Sequence, residues 1–145
     1  MGGRGQDKEQ QPVFASAMEC ERAFYQAFSA CDLAAMEAVW AEDELSCIHP
    51  GAGALRTRDA VLDSWAAIFQ NAIPPRIRVH VLSRVSDGGL AVHLVQEHIS
   101  HQEQTSHVLA TNVFRRFGDG WRMIAHHGSV PPARSEPGAA GRSLH

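Results

Sequence analysis

The sequence predicts an α+β fold in which three helices precede an antiparallel sheet. Apolar residues recur at three- and four-residue steps through the first half of the chain, the spacing of amphipathic helices. From residue 76 onward, alternating runs are separated by Asp-Gly-Gly and Gly-Asp-Gly, the pattern of strands joined by hairpins. The size bounds the answer: 145 residues, 44% hydrophobic and 20% charged, suit one globular domain and argue against a disordered chain or a fibre.

The elements follow in order. Phe14, Met18, Glu21, Phe24, Tyr25 and Phe28, with Ala17 beside them, fall on one helical stripe. Ser16 and Glu19 have capping-box spacing, so regular helix begins there. Asp32 is a good N-cap for a second, short helix carrying Leu33, Met36 and Trp40 on one face. Leu45–His49 reads as a short strand, and Pro50-Gly51 and Gly53 turn the chain. Thr57 caps a third helix, with Asp59 in its first turn and Leu62, Trp65 and Phe69 on its apolar stripe. Pro74-Pro75 ends it. Strands follow at 76–85, 90–100, 108–117 and 121–130, with a polar connection around His101–Ser106.

Residues 1–12 and 131–145 read as disordered tails, too poor in apolar surface to offset their ordering entropy, and 13–130 as the folded domain. A formal net charge of -3 without a basic run gives nucleic-acid binding no electrostatic support. No apolar run is long enough to span a membrane, and the polar N-terminus lacks a signal-peptide core, so a cytoplasmic protein is expected. Cys20, Cys31 and Cys47 have no metal-type spacing and read as buried, reduced thiols. The histidines show no HExxH or comparable pattern, so neither a metal nor another cofactor is expected.

The long strands are apolar on both faces. Ala91 and Val95 oppose Val92 and Leu94, and Ala110 and Phe114 oppose Leu109 and Val113. Three short helices cover only one face, so a homodimer packed through the sheet is expected.

Three segments, in this order, carry a resemblance: AFYQAFSACDLAAMEAVWAED (23–43), CIHPGAGALRTRDAVLDSW (47–65) and ATNVFRRFGDGWRMIAHHGS (110–129). They resemble the SnoaL-like branch of the nuclear transport factor 2-like superfamily, which also contains ketosteroid isomerase-like proteins. Thr57 stands where that pattern has glycine. The resemblance implies a cone-shaped, cystatin-like α+β barrel, with three N-terminal helices packed on a strongly curved sheet. It places a ligand or active site inside the cone. Isomerases, dehydratases, cyclases, epoxide hydrolases and purely binding or assembling modules share that fold, so the fold names no reaction.

Candidate site residues are those whose polar groups point into the cone. Glu97 lies mid-strand between Val95 and Ile99 on one face, where lost solvation raises a carboxyl toward the range useful for proton transfer. Asn112 shares a face with Ala110 and Phe114 and is placed to hold a carbonyl or enolate oxygen. His126 and His127 face opposite ways; His126 is taken inward, in step with Ile124, and makes an acid–base pair with Glu97. A bulge of one residue would swap the two. His49 reaches toward the mouth of the cone, and His93 alternates in phase with Val95 and Glu97. Tyr25 lines the cone from the first helix. Trp40, Trp65 and Phe114 are core residues that also wall a pocket for a small hydrophobic molecule. A ketosteroid isomerase-type site needs a tyrosine and carboxylic acids gathered together, and the sheet offers one obvious carboxylate. An Asp–Arg–Asp epoxide hydrolase set cannot be assembled on the strands. Two readings result: acid–base isomerisation, dehydration or cyclisation of a small ketone-like compound, with Glu97 and His126 catalytic, or a non-catalytic small-molecule-binding or dimerisation module.

Overall fold

The first helix starts where a hydroxyl can cap it. Ser16 accepts a hydrogen bond from the Glu19 amide at 3.0 Å, and Glu19 reaches back to the Ala15 amide at 3.3 Å. The computed structural model describes residues 12–70 and 73–132. In it α1 spans Ala17–Ala30 and ends at Cys31 in the left-handed conformation. Cys20, Phe24 and Tyr25 are buried as the stripe requires, but Met18 is exposed and Glu21 is only 4% exposed. The buried face of α1 therefore carries a carboxylate. Asp32 accepts from the Ala35 amide and caps α2 (Leu33–Val39). Thr57 accepts from the Ala60 amide and caps α3 (Arg58–Gln70), so threonine performs the capping that Ser16 and Asp32 perform elsewhere.

Between α2 and α3 lie β1 (Ser46–Ile48) and β2 (Ala54–Leu55). The second is too short to leave a periodic signal. Four long strands follow: β3 (Arg76–Asp87), β4 (Leu90–His101), β5 (Gln104–Phe117) and β6 (Gly120–Ser129). Gly88 and Gly118, both at positive φ, make the two glycine hairpins. The connection expected around His101–Ser106 is instead a third tight hairpin, with Gln102 at φ 55° and β5 starting at Gln104. Its residues read as a loop because this end of the ribbon is solvated: Gln104–His107 are exposed.

The sheet order is β2-β1-β6-β5-β4-β3. Among the described residues the strands pair antiparallel except β1 with β6, which is parallel, so the sheet is mixed rather than wholly antiparallel. The sheet is curved, and its ladders break at two places. Leu82 is an extra residue in β3 against β4, and Ile124 is an extra residue in β6 against β5. Such bulges bend a strand and reset which side chains face inward.

The concave face carries Ala91, His93, Val95 and Glu97 from β4 and Val108, Ala110, Asn112 and Phe114 from β5, all buried. The helices cover it with Phe24, Met36, Val39, Val61 and Trp65, joined by Trp40, the extended residue just after α2 that bridges to Met123. The convex face stays open, with Leu90, Val92, Leu94 and Val85 exposed. Among the described residues no helix is long and apolar enough to cross a membrane. The expected tails lie outside the described residues apart from Pro12, Pro131 and Pro132.

Candidate functional site

Four of the expected residues form one hydrogen-bonded chain inside the fold. The Tyr25 hydroxyl donates to Glu97 Oε2 at 2.5 Å. Asn112 Nδ2 donates to the Tyr25 oxygen and to Glu21 Oε2, both at 3.0 Å. Asn112 Oδ1 can only accept, so the 2.6 Å contact with His126 Nδ1 requires the proton on that nitrogen. His93 Nδ1 lies 3.0 Å from Glu21 Oε1, within ion-pairing distance but without hydrogen-bond alignment. Helix α1 supplies Glu21 and Tyr25, one turn apart and on the same face. The sheet supplies Glu97, Asn112, His93 and His126.

His126 is inward, as expected, but for a different reason. Met123, not Ile124, shares its buried face, because the bulge at Ile124 shifts the phase of β6. His127 is exposed and turned to the convex face, so it is separated from the network. Trp65 is buried among Phe24, Phe28, His49, Phe69 and His126. Phe114 is likewise core, with its ring 5.0 Å from that of His93. Trp40 is buried beside a separate cleft that it shares with Val13, Ala41 and Arg122. The closed end of the cone is therefore packed with aromatic rings rather than hollow. His49 is half-buried near Trp65, and no hydrogen bond joins it to the network. Ser64 gives its hydroxyl proton to the Val61 carbonyl at 2.6 Å, so His49 Nε2 donates to Ser64 Oγ at 2.9 Å.

A cavity of about 300 Å³ opens between α1 and β3. Glu21 and Tyr25 line it from the helix, and Ile77, Val79 and Val81 line it from the strand. The cavity thus reaches the buried network at Tyr25 and Glu21. Glu97, Asn112 and His126 stand behind them at 0–3% exposure.

Burial sets the proton affinities. Loss of solvation pushes the Glu97 carboxyl up to about 7; the Tyr25 hydrogen bond works against this and the nearby Glu21 charge adds to it. Burial, with the Glu97 charge beside it, holds the Tyr25 phenol well above its usual range, so it remains a proton donor. Burial pushes His126 down to about 3, with His49 and His127 adding to the shift, so its imidazole is neutral. His49 is also lowered by burial. The Cys20 and Cys47 thiols are pushed up to about 12 by burial, the opposite of what an activated nucleophile requires. Among the described residues no group of three or more His, Cys, Asp or Glu side chains is arranged to hold a metal ion.

Glu21 is the residue that sequence reasoning missed. Its signal was present: a carboxylate at an apolar-stripe position of α1, four residues before Tyr25. With Glu21, the tyrosine and two carboxyl groups are gathered in one place, an arrangement the strands alone could not supply.

Helices over a curved six-stranded sheet, with polar groups on the concave side, define a nuclear transport factor 2-like protein. The SnoaL-like domain matches residues 18–133, and the chain belongs to that family. Among solved structures it is similar to a protein of the calcium/calmodulin-dependent protein kinase type II association-domain type from Thiobacillus denitrificans, at 39% identity and a TM-score of 0.80, over 83% of this chain and 99% of that one. It is also similar to a dehydratase-type protein of the NTF2-like family from Streptomyces avermitilis, at 29% identity and a TM-score of 0.72, over 79% of this chain and 93% of that one. A ketosteroid isomerase-like protein from Erwinia carotovora atroseptica shares the fold at 14% identity and a TM-score of 0.66, over 78% of this chain and 92% of that one. No curated protein sequence matches the chain.

Proposed function

We propose that this SnoaL-like protein is an acid–base isomerase or lyase that moves a proton next to the carbonyl of a small molecule held between α1 and β3. One observation carries the reading: Glu21 and Tyr25, one helical turn apart, line the same cavity, and Tyr25 is hydrogen-bonded to a carboxyl of raised proton affinity. Tyr25 is the donor to the ligand oxygen. When Glu97 is ionised it accepts the hydrogen bond of the phenol O–H, which then points away from the ligand. When Glu97 is protonated its own O–H turns to the Tyr25 oxygen, and the phenol O–H is free to point into the cavity. Glu21 is the base that removes the proton beside the carbonyl, as the carbonyl oxygen gains negative charge against Tyr25. Asn112 has both amide protons committed, to Glu21 and Tyr25, so its role is positioning rather than holding an enolate. His126 steadies Asn112 from behind.

Exchange of the α-protons of small ketones into deuterated water, followed by NMR, tests this. Tyr25→Phe and Glu21→Gln are expected to lower the exchange rate by about 10²–10⁴-fold. Glu97→Gln is expected to remove the decline in rate as pH rises through about 7. Exchange in the wild type no faster than in buffer, or unaltered in all three variants, would overturn the proposal.

A second reading, as an association module, is favoured by the convex face. Val85, Val92, Val113 and Ala125 lie in one cross-strand row there, beside exposed Leu94 and Leu90. Burial of that row against a second copy would remove it from water. Sedimentation equilibrium is expected to show at least a dimer at micromolar concentration, and Val92→Glu a monomer; a monomeric wild type contradicts this.

A further inference from the structure

The cavity between α1 and β3 also carries charge that the proton chemistry does not use. Val81 pairs with Val95, but Ser83 pairs with Leu94, so Leu82 is the bulged residue of β3. Without the bulge Ser83 would sit opposite His93 on the concave side. With it, Arg84 sits there and lines the cavity beyond Ile77, Val79 and Val81. Bulges recur beside binding sites because they re-aim one side chain without disturbing the rest of the strand. On the opposite wall α1 contributes Arg22, next to Glu21. Both arginines are exposed, and among the described residues neither has a carboxylate within ion-pairing distance. Glu21 lines the same cavity but pairs directly with neither arginine: Oε2 accepts from Asn112 and Oε1 lies beside His93, so one carboxylate stands against two guanidinium groups. In a chain of net charge -3, two unpaired guanidinium groups flanking one cavity are a local reversal of sign.

We infer that the ligand of this cavity is a small oxo-carboxylate: its carboxylate meets Arg84 and Arg22, its methylene segment lies along Ile77, Val79 and Val81, and its carbonyl oxygen meets Tyr25. The inference rests on the proposed carbonyl chemistry at Tyr25 and adds the class of substrate. Arg84 is then a specificity-determining residue, able to take a carboxylate with two parallel N–H donors.

Levulinate and its methyl ester are the probes, with binding to the full-length protein followed by NMR shifts at Tyr25 and β3. Levulinate is expected to bind about tenfold or more tightly than the ester, with affinity falling as salt is raised. Arg84→Gln, at an exposed position that leaves the core intact, is expected to erase that preference while ester binding persists. Equal binding of acid and ester, no binding of levulinate, or a preference that survives Arg84→Gln would each overturn the inference. The two levels fail separately. If acid and ester bind equally and both exchange α-protons, the carbonyl chemistry stands and the carboxylate does not. If levulinate binds through Arg84 but no ketone exchanges protons, the anion site stands and the acid–base reading falls.

Discussion

Between pH 4.5 and 6.5 the stabilities of His126→Asn and Glu97→Gln are expected to change in opposite directions, while these two groups cancel in the wild type. The unfolded chain takes up a histidine proton below 6.5, but the folded protein refuses it at His126 until about 3. The stability due to neutral His126 is therefore present above 6.5 and is lost as pH falls through that window, by about 1.4 kcal/mol per pH unit and on the order of 4–5 kcal/mol in all. Glu97 behaves in the reverse sense. Its folded carboxyl keeps a proton up to about 7, whereas the unfolded one loses it near 4.5. Stability due to Glu97 is thus present below 4.5 and is lost as pH rises through about 7, by about 3 kcal/mol. Where the windows overlap the two slopes are equal and opposite. Urea denaturation across pH should show His126→Asn losing stability as pH rises from 4.5 to 7, and Glu97→Gln gaining stability as pH rises from 3 to 6.5. Asparagine keeps a donor near Asn112 Oδ1, so the slope is read apart from the fixed cost of the smaller side chain. Identical profiles in wild type and both variants would contradict the buried-network account.

Trp65→Ala is expected to destabilise the protein by about 3–5 kcal/mol, as for a large aromatic removed from a core. Trp65 is 1% exposed, with Phe28 and His49 ring centroids both 4.9 Å away and Phe24 at 5.5 Å. Its indole Nε1 has no hydrogen-bond partner, so truncation orphans no polar atom and the loss is one of packing. The loss should appear as a lower urea midpoint with levulinate binding retained, because the ring packs behind the network rather than against the α1–β3 cavity. A loss below about 1 kcal/mol would mean that the closed end of the cone is hollow.

The helices, their caps and the four long strands were legible because each is long enough to show its period. β2 was not, since two residues have no period. The hairpin at Gln102 was hidden because solvated strand ends have the composition of a loop. At the site, alternation correctly put Glu97 and Asn112 inward, yet it could not locate the bulges at Leu82 and Ile124. Those bulges decide that Arg84 faces the cavity and that His126 shares its face with Met123. Sequence placed Tyr25 on the lining of a pocket inside the cone, and Tyr25 does line the α1–β3 cavity. The aromatic residues expected to wall that pocket instead fill the cone, and the opening lies where α1 meets the edge strand β3. Which element borders a gap depends on long-range packing, which no local pattern encodes.

Everything proposed for the cavity requires a buried carboxyl of raised proton affinity behind the cavity-lining tyrosine. A ¹³C NMR titration of the Glu97 carboxyl tests it most directly. The midpoint is expected near pH 7, with the Tyr25 ring signals moving in the same transition. A midpoint near 4.5 with no response at Tyr25 would contradict it.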